Sequence, residues 1–202
     1  SKLCTRLGKV ERAECRSEYS IHLRDMKYER QKYMKHVSKA IRKPSEFMSV
    51  CIDGMGTFAT TLPHLNISSA KDIKGKDRLE TQIVGVLVHG ARMDFYGITG
   101  AVKHGPEVTV ECLDRSIRSH LKDLESQNKS TPRVLYIQLD NITKDNKCET
   151  VLDYCAYLVH ASLFDKVKVS FLKPGHTHID IDQRFSVINR YLKSLDSNAV
   201  TW

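Results

Sequence analysis

No stretch of this 202-residue chain is both long and apolar, which excludes a membrane-spanning helix. Residues 1–47 are charged throughout and lack the apolar segment of a secretory signal peptide, so the expected location is intracellular. The six cysteines, at 4, 15, 51, 112, 148 and 155, form no C-x-x-C pair, and in a body of this size they read as reduced thiols. Cys4 and Cys15 supply two of the four ligands that a structural zinc needs, so at most they are the remains of a zinc site. The start of the chain reads as a piece of something longer. Internal repeats and low-complexity tracts are missing, and at 41% hydrophobic residues the chain can bury one good core. Nor is the charge spread evenly. Residues 1–47 hold 13 Lys+Arg against 6 Asp+Glu, and the remainder holds 19 against 18. The formal net charge of +8 therefore belongs almost entirely to one basic arm, residues 1–47, ahead of a nearly neutral core domain, residues 48–202.

The arm predicts one long helix from about Val10 to Lys43, stopped by Pro44. Tyr19, Leu23, Met26, Tyr33, Val37 and Ala40 form a narrow apolar stripe that suits a solvated helix with one side laid on the body. Two such helices could also pair as a short coiled coil, which would make the protein a homodimer or higher oligomer. After Pro44 the period changes. Phe47–Ile52, Gln82–His89, Met93–Ile98, Val134–Leu139 and Val167–Leu172 predict strands, and a long polar loop occupies residues 56–80. The link Gly90-Ala91-Arg92 predicts a hairpin. Val108–Leu124 and Glu149–Phe164 predict helices, the second with Val151, Leu152, Cys155, Leu158, Val159 and Leu163 facing inward. A last helix from about Thr177 buries Ile181, Phe185, Ile188, Leu192 and Leu195. The order βββαβαβα implies an α/β domain with one mixed sheet of about five strands, helices on its faces and the long basic helix in front. That order is the order of the RNase H-like fold.

Two aspartates stand immediately after apolar strands, Asp53 after the first and Asp140 after the fourth. Ligand sites in open α/β sheets form beyond the carboxyl ends of strands. If these strands are parallel neighbours, the two carboxylates repel unless a cation lies between them, and hard oxygen donors suit magnesium or manganese. A third cluster, Gly175-His-Thr-His-Ile-Asp-Ile-Asp182, opens the last helix. Thr177 suits an N-cap with Asp180 in a capping-box position, which leaves Asp182, beside the core stripe, as the better third metal ligand after Asp53 and Asp140. Asp-Gly and Asp-Asn after strands are also ordinary turn chemistry. His176 and His178 could touch phosphate, assist proton transfer as His178 would in a catalytic role, or bind metal as in metallophosphoesterases. The Asp-x-His and Gly-Asn-His motifs of those enzymes are missing here.

The segments Val50-Cys-Ile-Asp53-Gly-Met, Leu135-Tyr-Ile-Gln-Leu-Asp140-Asn-Ile-Thr-Lys-Asp-Asn146 and Gly175-His-Thr-His-Ile-Asp-Ile-Asp182-Gln-Arg-Phe-Ser resemble a transposon-derived eukaryotic family. That family is similar to DDE transposases and integrases with an RNase H-like catalytic core. The resemblance implies a metal-dependent nuclease or polynucleotidyl transferase acting on DNA. Its catalytic acids would be Asp53, Asp140 and Asp180 or Asp182, holding two Mg2+ or Mn2+ ions about 3.5–4 Å apart. It departs from the usual pattern in offering Asp where many transposases use Glu. Asn141 and Asn146 would orient neighbouring groups or substrate. Lys27, Arg30, Lys32 and Lys35 on the basic helix, with His176, would neutralise DNA phosphates, and the resemblance implies a nuclear protein. The alternative is a domesticated relative that keeps the fold and binds nucleic acid, or serves as a scaffold, without chemistry.

Overall fold

A computed structural model of the chain describes residues 9–56, 60, 79–102, 105–140, 146–171 and 180–196. Its elements are α1 (Lys9–Arg42), β1 (Phe47–Met55), β2 (Thr81–Val88), β3 (Arg92–Thr99), α2 (Pro106–Ser126), β4 (Val134–Leu139), α3 (Glu149–His160), β5 (Lys166–Phe171) and α4 (Asp180–Asp196). One five-stranded mixed sheet has the order β3-β2-β1-β4-β5. β1, β2 and β3 form an antiparallel meander, and β4 and β5 continue it in parallel.

Period-two alternation divides β1 between two layers. Met48, Val50 and Ile52 join the main core with Val84, Val86, Leu113, Ile117, Leu135, Ile137, Val151 and Leu158, so α2 and α3 cover that face. The other face carries α1 and α4. Here Met55 packs with Ile181 and Phe185 of α4.

Several boundaries depart from expectation. β1 runs on through Asp53 and Gly54 to Met55, because both residues pair with β2 at Gly85 and Val84. Asp53-Gly54 is therefore strand and not turn. The hairpin turn lies earlier than predicted, with Gly90 at φ +78° and Arg92 already in β3. α3 stops at His160, and Leu163 and Phe164 fold back with both amides on the Leu158 carbonyl. Leu152 and Val159, expected inside, are exposed. Val151, Tyr154, Cys155 and Leu158 already fill the face that a 3.6-residue period offers to the sheet. The predicted N-cap Thr177 and nearly all of the 56–80 loop lie outside the described residues, and α4 begins at Asp180.

The long helix is confirmed, but its stripe is seated on the body only from Tyr33 onward. Tyr33, Val37 and Ala40 are buried, whereas Tyr19 is 61% exposed. At 34 residues α1 is about 51 Å long, far longer than the sheet it crosses. A buried polar chain anchors it. The Nδ1 of His89 lies 3.0 Å from the Ser49 carbonyl, which can only accept, so Nδ1 donates and Nε2 accepts. The Tyr33 hydroxyl donates to that Nε2 over 2.8 Å. Burial holds the imidazole below its ordinary pKa and so keeps it in this neutral form. Tyr33→Phe would strand a buried acceptor. The expected cost is about 1–2 kcal/mol in urea unfolding, and a variant as stable as wild type would show that the chain does not anchor α1.

Candidate active site

The site follows from the register of the two central strands. β1 and β4 are parallel, with Cys51 opposite Gln138, so two residues further along Asp53 stands beside Asp140. By alternation both carboxylates lie on the α1–α4 face, in adjacent strands about 4.8 Å apart. Gly54 N–H donates to Asp53 Oδ1 over 2.8 Å. On the far side Asn146 donates through Nδ2 to Asp140 Oδ1 and accepts through Oδ1 from the Thr109 hydroxyl, 3.1 Å away. A loop residue and α2 thus set the orientation of Asp140.

α4 supplies the third carboxylate. Ile181 and Phe185 bury against Met55, and the Phe185 ring lies over Gly85, the residue paired with Asp53. A Cβ at Gly85 would come within 3.1 Å of that ring and of the Met93 methyl. Glycine at this position lets the helix approach closely beside Asp53. In the first turn of α4, Asp182 is half-buried next to Ile181, while Asp180 is exposed.

The electrostatics record the convergence. Burial, and after it the charges of Asp182 and Asp140, raise the pKa of Asp53 to about 6 against the opposing bond from Gly54. Beneath it, the fully buried Cys51 thiol is pushed well up, chiefly by burial and then by Asp53, Asp180, Asp182 and Asp140. All four predicted acids therefore act on one spot. Among the described residues, however, no three His, Cys, Asp or Glu side chains are gathered closely enough to hold a metal ion as they stand. The donor set does fit one: mutually repelling, partly desolvated carboxylates are the hard oxygen ligands that a divalent cation favours.

His176, His178 and Asn141 lie outside the described residues. Lys27, Arg30 and Lys35 are exposed along α1, and Lys32 is 3.8 Å from Glu29. Sequence reasoning missed Thr109, Cys51 and the Tyr33–His89 pair. Cys51 shares its face with Asp53 through period two and could have been found that way. Thr109 and His89 reach their partners across the fold, and no local pattern marks them.

The raised pKa of Asp53 has a definite sign. The fold favours the protonated acid, so this contribution to stability is present below the ordinary carboxylate pKa and is lost as pH rises through about 6. Asp53→Asn is expected to be about 2 kcal/mol more stable than wild type at pH 7.5 in chelator, with the difference vanishing near pH 4. Urea titrations at both pH values check this, and a variant no more stable at pH 7.5 would show that neither burial nor carboxylate repulsion acts on Asp53.

A family profile described as Domain of unknown function (DUF7869) matches residues 71–201. The match takes in Asp140, Asp180 and Asp182 and begins after Asp53. No curated protein and no solved structure matches the chain.

Proposed function

The chain belongs to the DUF7869 family, and from this site we propose that it is an RNase H-like, transposase- or integrase-related core that cuts or transfers DNA phosphodiesters with divalent metal ions. One observation carries the reading. Asp53 and Asp140 stand side by side on parallel neighbours, and Asp182 of α4 adds its charge to theirs. Asp53, Asp140 and Asp182 would hold Mg2+ or Mn2+, two ions in the RNase H-like arrangement. A bound cation supplies Lewis-acid stabilisation of the charge that develops on the phosphoryl oxygens.

The chain's own residues do the rest. Asn146, tied to Thr109, keeps one oxygen of Asp140 occupied and fixes the orientation of the other. Gly54 does the same for Asp53. The short reach of Asp182 is offset by the close approach of α4 over Gly85. Asp180, exposed at the helix start, stabilises the positive end of α4 and adds negative charge around the site. The nucleus is the proposed place of action.

A second reading is a nucleic-acid-binding protein that keeps the acids without chemistry. It is favoured by the lack, among the described residues, of a ready three-ligand cluster. Nicking of supercoiled DNA in Mg2+ or Mn2+ separates the two. Wild type is expected to nick, Asn146→Ala to lose about ten- to a hundredfold in rate, and Asp140→Asn to lose more. Equal rates for wild type and Asp140→Asn would defeat the catalytic reading.

A further inference from the structure

The arginines of the body are largely spoken for. Arg92 binds Asp94 at 2.6 Å and Asp123 at 2.7 Å, and Arg115, Arg118 and Arg133 bind Glu111, Asp114 and Asp165 at 2.5–2.7 Å. The last turns of α1 and the edge strand β5 are different. Among the described residues, Lys35, Lys39, Arg42 and Lys168 make no ion pair, and Glu46, the nearby acid, is taken by Lys43 at 3.0 Å.

These cations surround an aromatic stack. His36 lies flat on Tyr136, with ring centroids 3.9 Å apart and planes 6° apart, and Phe47 flanks Tyr136 at 5.9 Å. Lys168 Nζ is 5.7 Å from the Tyr136 centroid and Lys39 Nζ is 5.2 Å from that of Phe47. Ring faces hold the two ammonium groups by cation–π attraction and leave their N–H donors free for another acceptor. Lys35, Lys39, Arg42 and Phe47 also line an open cavity of about 440 Å³. The concentrated positive field registers on His36, whose pKa falls to about 4 through burial and then through Lys168, Lys32, Lys39 and Lys35.

The bland account is dipole compensation, since cations near a helix C-terminus offset its negative end. It covers Arg42 and Lys39. It does not cover Lys168, which belongs to another element and reaches the same spot because β5 pairs it with Tyr136. Tyr136 is also on the face of Asp140, four residues upstream on the same strand line, or about 13 Å. Phosphates of one DNA strand advance about 3.4 Å each along the duplex axis, so that distance spans about four nucleotides.

We propose that Lys39 and Lys168, supported by Lys35 and Arg42, form a backbone-binding track for duplex DNA. Its placement about four nucleotides from the cleaved bond rests on the catalytic reading above. Tyr136 is only 4% exposed and offers no ring face to a base, so the track, made of lysines and an arginine, reads phosphate and not sequence.

The test is binding of a fluorescein-labelled DNA duplex by anisotropy across a salt series. Lys39→Gln/Lys168→Gln should bind about tenfold more weakly at 0.1 M salt, with the log–log salt slope shallower by about 1.8. Lys39→Arg/Lys168→Arg should keep the wild-type slope, and a scrambled duplex should bind wild type equally well. Thermal melting confirms that each variant is folded, and the single Gln variants, at about 0.9 in slope each, serve if the double does not fold. An unchanged slope in the Gln variants, a lost slope in the Arg variant or clear sequence preference would overturn the track. Nicking assays run in parallel keep the two readings apart. A shallower slope in the Gln variants with undiminished nicking by Asp140→Asn leaves the track and removes the catalysis, and an unchanged slope in the Gln variants with nicking lost in Asp140→Asn does the reverse.

Discussion

Parallel pairing of β1 with β4 is the constraint on which the rest of the molecule depends. It joins the hairpin half of the sheet to the crossover half and sets the register in which Cys51 faces Gln138. Slipping either strand by one residue would send every side chain to the opposite face. Val50 and Ile52 would leave the main core, and Asp53 would turn toward α2 and α3, where an unpaired carboxylate is costly. The same pairing therefore buries the core and keeps the acids on the accessible side. Gln138 reinforces it from within, donating to the Leu139 and Ser170 carbonyls and so tying β4 to β5 just before the strands reach Asp140.

The two faces of the sheet divide the labour of charge. On the α2–α3 side, carboxylates and guanidinium groups neutralise one another in short pairs. On the α1–α4 side the charges are kept apart, acids at the carboxyl ends of the strands and lysines toward the amino ends. Surface ion pairs contribute little to stability, so leaving Lys35, Lys39 and Lys168 without one costs the fold little. What it creates is a field along the sheet, positive at one end and negative at the other until cations arrive. A polyanion lying across that face meets attraction first and the carboxylates second.

The element order and the parallel neighbours were legible because apolar runs and turn residues punctuate this chain clearly, as in Val134–Leu139 and Glu149–His160. The backbone at Asp53 is legible only in part. Asp-Gly looked like a turn, yet β2 extends the strand past it, and only cross-strand pairing decides that. Helical geometry separates Asp182 from Asp180, and in α4 the first is half-buried and the second exposed. The stripe on α1 misled at Tyr19, since periodicity reports which residues share a face and not how much body there is to cover them. The charged track was only half legible. Lys35 lies in the obvious basic helix, but Lys168 sits in an edge strand, where lysine ordinarily reads as protection against aggregation.

The seating of α4 carries one more implication. Its described contacts with the sheet form a small cluster, Met55, Ile181 and Phe185, separate from the large core beneath α2 and α3. Stability within a protein is local, and an element held by few buried contacts opens at a lower free energy than the core does. Asp182 thus rides on a helix that is cheaper to release than α2 or α3. Lifting α4 would dismantle the carboxylate cluster while the sheet stayed intact, so the protein can lose its site without losing its fold.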